Sequence, residues 1–200
     1  MKKSLIMRYF SPAESSNDGW ERYSVPIGNG YFGGSVFGWA DSERIQFTTN
    51  VFANNYANGG VSNFSEVFID FNHINAKNYE RGLDLDNGIA YSKYEYNGVK
   101  IYREAIVSYP DKVFAYKIYT KNGNIDFDVR LVIPYLDARP IEEGGRTGEI
   151  TLDNDVLVMR GTLPSRELIY EARLGVVTDG DVIENGDRLT VKNVTEATLF

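Results

Sequence analysis

The sequence contains no cysteine and a single histidine. The first absence excludes a disulfide frame, a thiol nucleophile and a zinc–thiolate site. The second removes most His-based metal clusters and makes a Ser–His–Asp triad a poor reading. No run of about 18 apolar residues occurs, so no segment reads as a membrane-spanning helix. Basic residues are outnumbered 21 to 28, for a net charge of −7, the wrong sign for a nucleic-acid or anionic-membrane partner. The opening Met1-Lys2-Lys3-Ser4-Leu5-Ile6-Met7-Arg8 imitates the charged start of a signal peptide, but Arg8 cuts its apolar stretch off after Met7. The chain therefore reads as cytoplasmic. In that compartment the sequons at Asn63-Phe64-Ser65 and Asn193-Val194-Thr195 carry no weight. Helical periodicity is missing too: no apolar stripe of about ten or more residues repeats at helical spacing.

What is present points to strands. Aromatic residues make up 14%, with 14 Tyr and 11 Phe, and such side chains suit pleated, half-buried surfaces. The strongest local signal is Asn97-Gly98, flanked by Ile89 to Tyr96 and Val99 to Ser108. Asn-Gly supplies the two positive-φ residues of a type I′ turn, which fixes the hairpin register. Tyr96 then faces Val99, Tyr94 faces Ile101 and Ala90 faces Ala105, while Glu95 meets Lys100 and Lys93 meets Tyr102 on the other face. Further strands follow at Val113 to Tyr119, Ile125 to Ile133, a short Val156 to Met159, a long Leu168 to Val176, and Arg188 to Lys192. Asn122-Gly123, Asp179-Gly180 and Asn185-Gly186 mark turns. Glu142-Glu143-Gly144-Gly145 reads as an exposed loop tip. The predicted fold is all-β, an antiparallel two-sheet sandwich that forms one domain over residues 1–200. The ending Glu196-Ala197-Thr198-Leu199-Phe200 has the pattern of a strand stopped in mid-run, as in the front piece of a longer protein.

Several residue groups invite a chemical reading. Gly28-Asn29-Gly30-Tyr31-Phe32-Gly33 spells G-x-G-x-x-G, but a dinucleotide site needs a strand before it and a helix after it. Pro26 precedes the motif and an aromatic, small-residue strand follows, so the glycines serve a tight turn and close sheet packing. His73 stands among Asn72, Asn75 and Asn78 without a set of metal ligands, and is expected to be a loop histidine bonding nearby backbone. Asp84 and Asp86 resemble the carboxylate pair of glycoside hydrolysis, yet on one strand face they would crowd rather than flank a sugar. They are read as outward charges, with Leu83 and Leu85 in the core. Trp20, Tyr23, Tyr31, Phe32, Phe37 and Trp39 could form a sugar-stacking platform, with core packing the preferred reading. No cofactor and no metal is called for.

The stretch Trp20-Glu21-Arg22-Tyr23-Ser24-Val25-Pro26-Ile27-Gly28-Asn29-Gly30-Tyr31-Phe32-Gly33-Gly34-Ser35-Val36-Phe37-Gly38 resembles the opening signature of glycoside hydrolase family 95, which contains α-L-fucosidases. Glu43-Arg44-Ile45-Gln46 is similar to that family's Glu-Arg-Ile-Gln. Tyr79-Glu80-Arg81-Gly82-Leu83-Asp84-Leu85-Asp86 is similar to its Tyr-x-Arg-x-Leu-Asp-Leu. Tyr102-Arg103-Glu104, followed by Ser108-Tyr109-Pro110-Asp111-Lys112-Val113, keeps the family order. One departure stands out: where the family has Leu-Asn-Glu and then a Trp, this chain has Phe47-Thr48-Thr49-Asn50-Val51-Phe52-Ala53.

The resemblance implies the N-terminal β-supersandwich of an inverting glycosidase, followed by an (α/α)6 barrel that holds the catalytic acid and base. No catalytic residue is then expected within residues 1–200. The expected partners are the protein's own catalytic domain and a terminal α-L-fucoside or similar sugar. Trp20, Asn29, Tyr31 and Trp39 are the candidates for a domain interface or substrate-pocket rim. The alternatives are a free-standing carbohydrate-binding sandwich and a structural module without sugar contact.

Overall fold

A computed structural model describes residues 4–53, 61–138, 140–143 and 145–200. Met1 to Lys3 of the signal-like start, and Gly144 of the predicted loop tip, lie outside the described residues. The chain forms two seven-stranded sheets and one three-stranded sheet, every pairing antiparallel. Strands are numbered in chain order. The first sheet runs β1 (Ile6–Tyr9), β6 (Lys77–Asp84), β7 (Ile89–Tyr96), β8 (Val99–Val107), β9 (Phe114–Thr120), β17 (Glu196–Leu199), β14 (Val176–Thr178). The second runs β15 (Asp181–Asn185), β16 (Arg188–Val194), β10 (Ile125–Val132), β5 (Val61–Asp70), β4 (Ser42–Ala53), β3 (Phe32–Val36), β2 (Val25–Gly28). The small sheet holds β11 (Thr147–Asp153), β12 (Val156–Leu163) and β13 (Leu168–Leu174).

The sandwich follows from alternation. Along β10, Ile125, Phe127, Val129 and Leu131 are buried while the residues between them are not, and β8 buries Ile101, Arg103 and Ala105 in the same rhythm. These inner faces meet in one continuous apolar core that includes Ile45, Ile69, Ile101, Ile118 and Val129. The β7–β8 hairpin has the predicted register throughout, from Tyr96↔Val99 to Ala90↔Ala105. Asn97 and Gly98 take the positive φ values, 47° and 80°, that the turn demands.

Other expectations change. The predicted long strand from Leu168 to Val176 is two strands in different sheets, because the chain crosses from the small sheet to the first sheet at Gly175. The short strand at Val156 extends to Leu163, held between β11 and β13. Asp179-Gly180 likewise joins strands of different sheets and is no hairpin turn. Asp84 ends β6, and its Oδ1 accepts the backbone N–H groups of Asp86 and Asn87, so it caps a turn. Asp86 lies beyond the strand and its Oδ2 accepts the Leu5 N–H. Leu83 is buried as expected, whereas Leu85 sits in the turn and is exposed. Among the described residues, no helix is long and apolar enough to cross a membrane.

Candidate functional site

Charged residues appear inside the apolar alternation at three places: Glu43 beside Ile45 on β4, Arg81 beside Leu83 on β6, and Arg103 between Ile101 and Ala105 on β8. All three are buried. Glu43 projects from one large sheet and Arg103 from the other, and their charged groups meet across the core at 3.5 Å. Glu43 Oε1 accepts the backbone N–H groups of Gly38 (2.6 Å) and Arg44 (3.1 Å), and its Oε2 accepts the Tyr116 hydroxyl at 2.8 Å. Arg103 donates to Ser92 Oγ and to the Trp39 carbonyl, both at 2.8 Å, and to the Gly38 carbonyl at 3.3 Å. Burial by itself would lower the Arg103 pKa, but the surrounding Tyr116, Tyr94, Glu43 and Tyr79 outweigh it and hold the guanidinium above its ordinary value. Arg81 extends the lattice outward, donating to the carbonyls of Ser11 (2.8 Å) and Tyr23 (2.5 Å). Gly38, at φ 81°, has no room for a Cβ, which would lie 2.5 Å from the Arg81 side chain.

This lattice is made of the residues that carry the sequence motifs, and its chemistry is that of a scaffold. A general acid must reach a glycosidic oxygen, and Glu43 is sealed among its partners. Glu66 is nearly as enclosed: it takes Arg44 in a bidentate pair at 2.9 Å and also accepts from Gln46 and Asn63. Among the described residues no group of three or more His, Asp or Glu is placed to hold a metal ion.

His73 lies in the loop between β5 and β6, as expected, and is buried there. Its Nδ1 lies 2.9 Å from the Tyr94 hydroxyl, not from a backbone group as expected, and its ring stacks on Tyr96 at 4.3 Å. Burial, with the nearby Arg103 charge, lowers its pKa to about 4, so it is neutral near pH 7. Burial also pushes the Tyr94 phenol up to about 12.

The four rim candidates occupy different surroundings. Asn29 clamps the β2–β3 turn: its Oδ1 accepts the N–H groups of Tyr31 (2.9 Å) and Phe32 (3.0 Å), and its Nδ2 donates to the Ser108 carbonyl at 3.0 Å. Gly30 beside it takes φ 84°, in keeping with a tight turn. Trp39 points inward, with its indole N–H on the Ala13 carbonyl (2.5 Å) and its ring edge-on to Phe37. Trp20 is exposed on a single π-type turn, Gly19–Tyr23. Tyr31 is exposed as well, and of the four it alone lines a groove of about 450 Å³.

No pattern in the sequence marks that groove. Tyr31, Phe47, Val51, Phe64, Phe114 and Phe200 contribute to its lining, together with every residue of β13. Phe47 and Phe114, both in the lining, meet edge to face at 4.8 Å. The family-95 departure at Phe47 to Phe52 therefore falls on a groove wall. The wall is assembled from residues far apart in the chain, so no local pattern marks it.

A family model described as "Glycosyl hydrolase family 65, N-terminal domain" matches residues 48–200. The chain belongs to this family. The expected N-terminal domain of a glycoside hydrolase is thus met, under family 65 in place of family 95. In fold, the chain is similar to a solved structure described as "Putative kojibiose phosphorylase from human microbiome", with a TM-score of 0.53 at 10% identity. The likeness covers 97% of this chain and 31% of that one, so the chain spans about a third of that protein's length. No curated protein matches the chain in sequence.

Proposed function

We propose that this chain is the non-catalytic N-terminal sandwich of an enzyme that cleaves glycosidic bonds, and that it packs on a helical-barrel catalytic domain. The family match over residues 48–200 carries this reading. It is supported by the carboxylates of the motif blocks: Glu43 is consumed by the core lattice and Asp84 by a turn cap, which leaves neither for acid–base work. The β2–β3 hairpin, with Tyr31 bare at its tip, is the element offered to the substrate-pocket rim.

Two substrates compete. The motif blocks favour a terminal α-L-fucoside and hydrolysis, whereas the fold neighbour's name favours phosphorolysis of kojibiose. Full-length protein would be incubated with an aryl α-L-fucoside in phosphate-free buffer, and with kojibiose with and without phosphate. Fucose release supports the first; kojibiose loss that requires phosphate supports the second. Residues 1–200 alone should cleave neither. Cleavage by that piece would overturn the non-catalytic assignment, and inactivity of the full-length protein on both would overturn the substrate readings.

A further inference from the structure

The apolar groove lies in line with β17. On one side β17 pairs with β9, Leu199 facing Tyr116. On the other it pairs with β14, Leu199 facing Val176. One step on, Phe200 and Gly175 exchange both backbone hydrogen bonds, at 3.0 and 3.1 Å. Carried one residue further, the two ladders set the next position between Phe114 and Leu174. Both residues line the groove, Phe114 from the start of β9 and Leu174 from the end of β13. β13 pairs with β12 along one edge, and among the described residues no strand pairs its other edge. An unpaired edge leaves a row of N–H and C=O groups ready to receive a strand. Four large apolar side chains stand bare around it: Ile169 at 81% exposure, Tyr31 at 56%, Val51 at 51% and Phe200 at 49%.

We propose that the groove is the seat of one more antiparallel strand, supplied by the polypeptide that follows Phe200 in the full-length protein. The proposal rests on the reading of this chain as the front of a longer enzyme. Seven residues would run the length of β13, which has seven. Alternate side chains would fill the groove and the rest would face solvent. The groove is mainly apolar, and the strand would take up the register already set by Gly175 and Phe200. A sugar ring would find few polar groups along these walls.

The test extends the 200-residue chain by the seven residues its gene encodes after Phe200, and follows amide hydrogen exchange along β13. Exchange of the free-edge amides should slow by roughly tenfold or more. A second extension, with proline at alternate positions, cannot donate to the ladder and should leave the rates as in the unextended chain. A stop codon directly after Phe200, or unchanged exchange in the extended chain, would overturn the proposal. So would protection of the 200-residue chain that rises with its concentration, because a second copy would then be the occupant. None of these readouts uses glycosidase activity, so failure of the strand and failure of the enzymatic reading are told apart.

Discussion

Replacing Arg103 with methionine removes the cation from the centre of the sandwich while keeping an unbranched apolar stem. Three hydrogen bonds go, to Ser92, Trp39 and Gly38, along with the 3.5 Å pairing to Glu43 and the stacking over Phe71 and Tyr94. Methionine fills part of the volume, so the larger effect is on what remains: Glu43 stays buried and loses the cation that faces it. Removing one partner of a buried pair costs about 3–5 kcal/mol. At about 2–4 °C per kcal/mol for a chain of this size, the melting temperature should fall by about 6–20 °C. Urea unfolding followed by tryptophan fluorescence reads the loss directly, because the Trp39 carbonyl is one of the acceptors set free. Glu43→Gln made in the Arg103→Met background should cost far less than Glu43→Gln alone, with a coupling of about 1–3 kcal/mol. A loss under about 1 kcal/mol, the range of exposed pairs, or strict additivity of the two changes, would refute the lattice as a stabilising unit.

His73 titrates with a folded pKa of about 4 against an ordinary value of 6.5, so the unfolded chain takes up the proton first as pH falls. Its contribution is intact above pH 6.5 and is lost by about pH 4, a change of about 3 kcal/mol. Urea midpoints measured across that window should fall for the wild type and stay flatter for His73→Phe; parallel curves would remove His73 as the cause. Asn29→Ala should cost about 1–2 kcal/mol, since it frees two turn N–H groups and the Ser108 carbonyl. Chemical denaturation checks this, and a neutral result would return Asn29 to the pool of residues available for contacts outside the domain.

The fold was legible where the signal is local. Asn97-Gly98 settles a hairpin's register and faces within a few residues, and the alternation from Ile125 to Leu131 settles which face of that strand is buried, though not its partners β5 and β16. The alternation from Leu168 to Val176 misleads for a physical reason: the inward rhythm continues through Gly175 while the chain changes sheets, and period-two patterning does not register a change of partner. His73 sits among asparagines that do adopt loop geometry, Asn72 and Asn75 both at positive φ, but its partner Tyr94 is 21 residues away and invisible to a local reading. The ionic lattice was legible in principle, because Glu43, Arg81 and Arg103 each interrupt an apolar face. The groove was not, because its walls come from chain segments spread between Tyr31 and Phe200 and become neighbours only after the sheets form.

β4 is the longest strand among the described residues, twelve residues, and pairs with β3 on one side and β5 on the other. A long strand of alternating residues is open to mispairing by one position, and an error of that kind turns every side chain to the opposite face. Here it would swing Glu43 out to solvent and drive Arg44 into the core, where Arg81 and Arg103 already lie. Three guanidinium groups would then share a dry interior with no carboxylate among them, an arrangement the chain cannot hold. The ionic centre thus acts as a proofreading device for assembly: it accepts one alignment of β4 and expels its nearest competitor.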